Sequence, residues 1–233
     1  MRKYLLLAAL CSTTAHADIV ETIEKYTDIF GVSVSNSDGE TVYTLDANYE
    51  INDRFRIFGD IDTDSNWEAG FGYSIWSGES YYTENTIKVS DRKYSTGIFV
   101  AKALNENWLA VGDVNYNYNL ETDDPACEWF ESCNGNPLEL SYQPSSSVDY
   151  SVGIMWSPFD ITDLMYKFNH EVGIDKNYFY SGDDRLDITA SRTNFHYHEI
   201  IVSLNVKYVR PSVTYTYFED GRDYIEFGLT FDF

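Results

Sequence analysis

Residues 223–233, at the end of the chain, read Asp-Tyr-Ile-Glu-Phe-Gly-Leu-Thr-Phe-Asp-Phe. Side chains alternate between the two faces of an extended strand, so every second residue shares a face. From residue 225 onward, one face carries only apolar residues, whereas the other carries acidic, hydroxyl and small groups after one tyrosine, Tyr224. The apolar face consists of Ile225, Phe227, Leu229, Phe231 and Phe233. The stretch therefore predicts a β-strand that lies between an apolar environment and a polar one.

The same alternation recurs through most of the chain and predicts about twelve antiparallel strands. Each has roughly the 9–11 residues that a tilted strand needs to cross a bilayer. The predicted strands are residues 28–37, 40–49, 54–62, 66–76, 80–90, 93–103, 107–118, 147–157, 163–174, 194–206, 208–218 and 223–233. An even number leaves both chain ends on one side, and ten strands also fit if one hairpin is misjudged. The two long connections, 119–146 and 175–193, both fall on the opposite side.

Aromatic residues fall near the two ends of these strands. Tyr and Trp favour membrane interfaces, because an apolar ring and a polar edge suit a boundary between lipid and water. One predicted girdle, at the ends joined by short turns, comprises Tyr49, Phe55, Tyr81, Trp108, Trp156, Tyr166, Tyr208 and Phe233. The other, at the outer ends, comprises Tyr43, Trp67, Tyr94, Tyr116, Tyr118, Tyr150 and Tyr217. Aliphatic residues such as Val152 and Ile154 fill the same face between the girdles, as expected for a surface in lipid.

The start of the chain has the pattern of a secretory signal peptide. Residues 1–17 combine basic residues (Arg2 and Lys3), an apolar run and the small-residue site Ala15-His16-Ala17, which predicts cleavage before Asp18. Residues 18–27 have weak helical spacing and are predicted to form an N-terminal periplasmic segment. The predicted barrel domain then covers residues 28–233.

The composition excludes some functions. The chain has 38 acidic and 16 basic residues, a net charge of -22. Such an excess repels the phosphates of nucleic acids and argues against a nucleic-acid partner. After the signal peptide, no apolar run approaches the ~20 residues of a spanning helix. In strands that alternate apolar and polar residues, the two faces cancel in an average over the sequence. A membrane barrel is therefore compatible with the mean hydropathy of -0.36.

Strand 223–233 resembles the C-terminal signature strand of bacterial outer-membrane β-barrels, which ends in Phe with apolar residues at alternate positions. The resemblance implies a closed antiparallel transmembrane β-barrel in the cell outer membrane. It also implies that residues 223–233 are recognised by the barrel-assembly machinery, and that the partners of the barrel are outer-membrane lipids and lipopolysaccharide. Closure has a physical reason as well, because an open sheet edge in lipid leaves backbone groups unpaired. We expect a monomer.

The strand parity predicts an interior lined with charged side chains. The predicted lumen-lining residues are Asp46, Arg54, Arg56, Asp60, Glu68, Glu84, Lys88, Asp113, Asp149, Lys167, Glu171, Glu199, Arg210, Glu226 and Asp232. Rings of carboxylates select solutes by sign, so an open lumen would favour cations or neutral polar solutes. The alternative is a plugged interior in which Arg54 and Arg56 pair with nearby acids. Small family members of this strand number include porins for acidic oligosaccharides with basic pores, from which this acidic lining departs.

The long connections contain two further candidate features. Cys127 and Cys133 are predicted to form a disulfide, because they are the cysteines that remain in an exported chain after signal cleavage. The loop between them holds Trp129 and Phe130, a candidate recognition surface or a flap over the barrel mouth. Acidic residues cluster in both connections without the spacing of a calcium loop, so no metal or cofactor is predicted.

Three histidines suggest a possible enzyme. His170, His196 and His198 lie near the outer ends of neighbouring predicted strands and face outward by parity. A rim histidine could act as the base of a lipid hydrolase, which the family contains. The sequence offers no distinct nucleophile, so we predict interfacial imidazoles and no catalytic residues. The sequence predicts a small passive channel, with a non-conducting barrel that displays its loops as the alternative and a lipid-modifying enzyme as the third hypothesis.

Overall fold

A computed structural model describes residues 30–37, 40–120, 140–181, 184–190, 194–219, 221 and 223–231. The predicted signal peptide 1–17, the segment 18–27, the Cys127–Cys133 disulfide and Trp129 with Phe130 lie outside the described residues. So do Asp232 and Phe233, the last residues of the signature strand. These features stay predictions.

Twelve strands form a closed barrel, with every neighbouring pair antiparallel. The barrel strands are β1 (Phe30–Ser37), β2 (Glu40–Asn52), β3 (Phe55–Asp62), β4 (Trp67–Gly78), β5 (Tyr81–Ser90), β6 (Lys93–Asn105), β7 (Trp108–Asn119), β9 (Ser147–Phe159), β10 (Thr162–Gly173), β13 (Asn194–Leu204), β14 (Val209–Phe218) and β15 (Tyr224–Phe231). The predicted fold class is thus confirmed, and the twelve-strand count is right rather than ten. No helix among the described residues is long and apolar enough to span a membrane.

The barrel closes where β1 pairs with β15. Phe30 lies opposite Phe231, Val32 opposite Leu229 and Val34 opposite Phe227 on the outer face. This register pairs the backbone groups of the first and last strands, so the barrel has no open edge in lipid. The outward-facing residues of β1 therefore lie beside the outward-facing residues of β15, and the apolar surface continues across the closure.

Three short strands missed by the sequence analysis lie in the long connections. They are β8 (Leu140–Gln143), β11 (Asn177–Ser181) and β12 (Asp184–Ala190), and they form a separate three-stranded sheet in the order β12-β11-β8. Backbone amides of Ser145 and Ser146 donate hydrogen bonds to side chains of Asn177 and Asp175, at 2.7 Å each, which ties the two connections together. We call this end of the barrel the loop end and the opposite one, with its short hairpins, the turn end.

The outer face of the barrel is apolar, as the parity predicts. Val152 is 57% exposed, Ile87 is 64% exposed and Phe227 is 56% exposed, although each belongs to a well-paired strand. At the turn end, Trp108 and Trp156 stack on neighbouring strands with ring centroids 5.7 Å apart. A continuous apolar surface of this kind is stable in lipid and would be costly in water.

Part of the inner face is also apolar, which the sequence analysis did not predict. Ala101, Ala103, Leu109 and Met155 are buried inside the barrel near the turn end. They pack against four half-buried residues, Tyr82, Phe99, Val111 and Met165. We call these eight residues the inner apolar cluster. The cluster fills one side of the interior near the turn end and leaves the polar residues to line the rest.

Candidate functional site: the lumen

A buried ion pair on the inner wall joins β3 to β5. Arg56 donates two hydrogen bonds to the Glu84 carboxylate, at 2.6 and 2.7 Å, and the Tyr82 hydroxyl donates a third at 2.9 Å. Glu84 is only 1% exposed. The pair crosses β4 at Gly72, where a Cβ would lie 2.7 Å from a Glu84 oxygen and 3.0 Å from Arg56. Glycine at this position therefore makes room for the bidentate pair.

Two other lumen cations are also neutralised by carboxylates. Lys88 lies 3.0 Å from Glu68, and Lys167 lies 3.8 Å from Asp113. Arg56 and Lys88 both sit over the ring of Phe58, with their charges 4.6 and 5.9 Å from its centroid. Arg56, Lys88 and Lys167 are thus each paired with a carboxylate of the protein, whereas Lys93, which lines the same cavity, has no such ion pair among the described residues.

Several carboxylates of the inner wall have only neutral hydrogen-bond donors among the described residues. Asp149 accepts from the amides of Asn115 and Asn117, at 3.4 and 3.0 Å. Glu171 accepts from the Ser147 hydroxyl at 2.6 Å, and Glu199 accepts from an asparagine amide on β10 at 2.8 Å. Neutral donors orient these groups and leave their charge uncompensated, so this part of the lumen is negative.

A second group of acids follows one level of the barrel wall. Asp46 on β2 lies directly opposite Asp60 on β3, which in turn lies opposite Glu68 on β4. Glu226 on β15 is close enough to Asp46 and Glu199 for the charges to interact. Like charges that face each other across strands destabilise a sheet. Asp46 and Asp60 therefore add to the negative potential inside the barrel, whereas the charge of Glu68 is balanced by Lys88.

The structure places the predicted lumen residues as follows. Arg54 lies in the turn before β3 and is exposed, because β3 begins one residue later, at Phe55. Asp232 lies outside the described residues. The remaining predicted side chains occupy lumen-facing strand positions: Asp46, Arg56, Asp60, Glu68, Glu84, Lys88, Asp113, Asp149, Lys167, Glu171, Glu199, Arg210 and Glu226. Strand parity correctly predicts that these residues share the lumen face. It does not predict which of the acids form ion pairs.

Sequence reasoning missed a wall of aromatic rings on the inner face. Phe195 and Tyr197 on β13 have centroids 6.3 Å apart, and Tyr197 stacks on Phe218 of β14 at 5.0 Å. Tyr224 on β15 continues the row, 6.3 Å from Phe218. We call these four residues the aromatic wall. Strand parity places all four residues on the lumen face and could have revealed the wall. The sequence analysis used strand-end aromatic residues only to predict the outer girdles, and these four belong to neither girdle.

The aromatic wall faces a cavity of about 510 Å³ inside the barrel. The opposite side of the cavity carries Arg56, Lys88, Phe58 and Phe99. Two acids, Asp149 and Glu171, and two lysines, Lys93 and Lys167, also line it. The volume falls within the range of about 300–1,000 Å³ that is typical of small-molecule sites. The lumen thus holds a space large enough for a polar solute, between a paired ionic wall and an aromatic wall.

The histidine cluster lies on the outside of the barrel. His170 and His196 face each other across β10 and β13, and His198 follows on the same face. Nδ1 of His170 is 2.7 Å from the Tyr150 hydroxyl, and Nδ1 of His198 is 2.8 Å from a tyrosine hydroxyl on β10. Nε2 of His196 lies 3.1 Å from the exposed carboxylate of Glu219.

These contacts of the histidines involve tyrosine, asparagine and glutamate, and none is a hydrogen bond to serine. In the described part of the chain, no group of three or more His, Cys, Asp or Glu residues has the arrangement of a metal site. The geometry favours a polar girdle at an interface over a Ser-His catalytic pair.

Comparisons with known proteins agree with this architecture. No family model and no curated protein matches the sequence. Among solved structures, the NanC porin is similar with a TM-score of 0.65 at 8% identity, covering 88% of this chain and 100% of that one. The KdgM porin in complex with disordered oligogalacturonate has a TM-score of 0.61 at 8% identity, covering 88% and 98%. An outer membrane channel from Pseudomonas putida F1 has a TM-score of 0.53 at 11% identity, covering 88% and 92%.

The chain therefore has the twelve-stranded barrel fold of outer-membrane porins. At these identities the similarity concerns the fold. The closed ring and the apolar outer face agree with a location in the cell outer membrane.

Proposed function

We propose that the protein is a small passive channel for polar and cationic solutes. The observation that carries the proposal is the cavity inside the closed barrel, lined by Asp149 and Glu171, whose charges have no cationic partner among the described residues. A solute crosses such a lumen by diffusion, and no covalent step is needed. Carboxylates on the wall attract cations and repel anions, which sets the preferred sign.

Four cations line the cavity, and the fourth, Lys93, is the one without an ion pair among the described residues. The other three do not reverse this preference. Arg56, Lys88 and Lys167 each form an ion pair, so they present little net positive charge to a solute. The similar KdgM porin was solved in complex with oligogalacturonate, an acidic sugar chain. A lumen in which three of the four cavity cations are paired, while Asp149 and Glu171 have no cationic partner among the described residues, suits such an anion poorly. The solutes proposed for this protein are therefore of the opposite sign.

Conductance in a planar bilayer tests the proposal. The folded barrel should carry current, and its reversal potential under a KCl gradient should show a preference for potassium. Asp149→Asn and Glu171→Gln should each weaken this preference. Glu219→Gln is the matched control, because this carboxylate lies on the outer face beside His196. A barrel that carries no current, or one that prefers chloride, would contradict the proposal.

A second candidate function has its own support in the structure. The sheet of β8, β11 and β12 gives the two long connections a shared folded surface at the loop end. Such a surface suits a barrel that displays its loops for adhesion or recognition. Deleting residues 123–137 should leave conductance largely unchanged if the channel function is correct. Loss of binding to a surface partner in the same variant, from a barrel that never conducts, would favour display.

A further inference from the structure

The aromatic wall is an unusual surface for a water-filled lumen. Its rings lie nearly parallel in two successive pairs, with interplanar angles of 19° for Phe195 and Tyr197 and 25° for Tyr197 and Phe218. All four rings line the same cavity. Aromatic rings carry negative potential on their faces and bury apolar surface when a ligand covers them. The wall therefore lines the cavity with aromatic surface, against which the apolar substituents of a cation can pack.

The charges next to this wall have the matching sign. Tyr197 lies close enough to Glu199, Asp149 and Asp113 for electrostatic interaction, and Tyr224 lies similarly near Glu199 and Glu226. Of these acids, Asp113 is paired with a lysine, whereas the contacts of Asp149 and Glu199 are neutral amides. A positive solute at the wall would thus meet carboxylates as well as aromatic rings.

On the opposite side of the cavity, the ring of Phe58 has cation–π partners from the chain itself. The face of Phe58 is covered by the chain's own Arg56 and Lys88. Among the described residues, no arginine or lysine lies over the rings of Phe195, Tyr197 or Tyr224. Phe58 thus already holds cation–π partners from the chain, whereas Phe195, Tyr197 and Tyr224 have none among the described residues.

We propose that the aromatic wall and its neighbouring carboxylates bind a small organic ammonium ion. Methylated ammonium groups fit such a site, because their apolar substituents pack on the rings while the charge interacts with the π-electrons and the carboxylates. Inorganic potassium lacks the apolar surface and would pass with weaker retention. The inference deepens the channel function proposed above and rests on it, since it names the class of solute that the lumen would favour.

Choline is a suitable probe, with dimethylbutanol as the uncharged control in which carbon replaces the ammonium nitrogen. Titration calorimetry on the full chain folded in detergent should detect choline binding and much weaker binding of dimethylbutanol. Tyr197→Leu should weaken choline binding about tenfold, and Glu199→Gln should weaken it in the same direction. Tyr197→Phe keeps the ring and should bind choline nearly as the unmodified chain does.

Phe99→Leu is the matched control, because it removes a ring from the opposite side of the same cavity. Retention of the compact folded band on a gel without boiling shows that each variant still forms the barrel. Equal binding of choline and dimethylbutanol, or equal losses in Phe99→Leu and Tyr197→Leu, would overturn the proposal.

Current through the same preparation separates this inference from the channel function. A barrel that conducts potassium but does not bind choline contradicts the ammonium site alone. A barrel that binds choline but carries no current keeps the site and contradicts the channel.

Discussion

At the scale of single residues, the buried carboxylate of Glu84 shows how the interior is held together. It accepts hydrogen bonds from Arg56 and Tyr82, and Gly72 leaves the space in which they meet. Strand parity predicts that Glu84 and Arg56 face inward. It does not predict that they pair across an intervening strand, because that depends on the register and on the missing side chain of a glycine.

Removing one partner of this pair should destabilise the barrel more than removing both. Arg56→Met leaves the Glu84 charge buried, so we expect the free energy of unfolding to fall by about 3–5 kcal/mol. The double variant Arg56→Met with Glu84→Met should recover much of that loss, because no unpaired charge remains. Urea unfolding in lipid vesicles, followed by tryptophan fluorescence, measures the full mutant cycle. Additive losses in the double variant would show that the two side chains are not coupled.

At the scale of strands, the two faces of β14 provide a test of the register. Val213 faces outward opposite Phe227, and its neighbour Thr214 faces inward opposite Glu226. Val213→Arg puts a charge into lipid and should cost about 2–4 kcal/mol of unfolding free energy. Thr214→Arg places the same group beside a carboxylate in the lumen and should cost far less. Similar losses in the two variants would mean that the faces are assigned incorrectly.

The inner apolar cluster is a second feature at this scale. Met155 is 5% exposed, so Met155→Ala should leave a cavity and cost about 2–5 kcal/mol. Ile154→Ala, one residue away on the outer face, should cost less because lipid chains can fill the space. Since the cluster narrows the turn end, Met155→Ala should also raise single-channel conductance. Unchanged conductance would show that current passes elsewhere.

The strands differ in how well the sequence predicts them. Every barrel strand was predicted, most within two residues of its observed bounds, because contact with lipid enforces a strict alternation over the whole length of each strand. The strands β8, β11 and β12 were missed. They are short and lie beyond the membrane, so no such alternation marks them. The aromatic wall was also missed. Strand parity predicts which side of the barrel an aromatic residue faces, but it does not predict which side chains on other strands it contacts.

At the scale of the whole molecule, the excess of acids should make ion selectivity depend on salt. The charge of -22 and the uncompensated lumen carboxylates attract cations over a distance set by screening. The Debye length falls from about 10 Å at 0.1 M to about 3 Å at 1 M salt. We therefore expect the preference for potassium over chloride to decline between these concentrations, as measured by reversal potentials. A preference that stays constant would point to a steric filter.

The pairing of β1 with β15 makes insertion of the barrel into the membrane depend on synthesis of the complete chain. The two strands that complete the ring are the first and the last of the barrel to leave the ribosome. A chain that stops before residue 224 therefore leaves one edge of β1 and one edge of β14 unpaired. Unpaired backbone in hydrocarbon is costly enough to keep such a fragment out of the bilayer. Prematurely terminated copies should thus remain in the aqueous compartment, where proteases can remove them, and only full-length copies should reach the lipid.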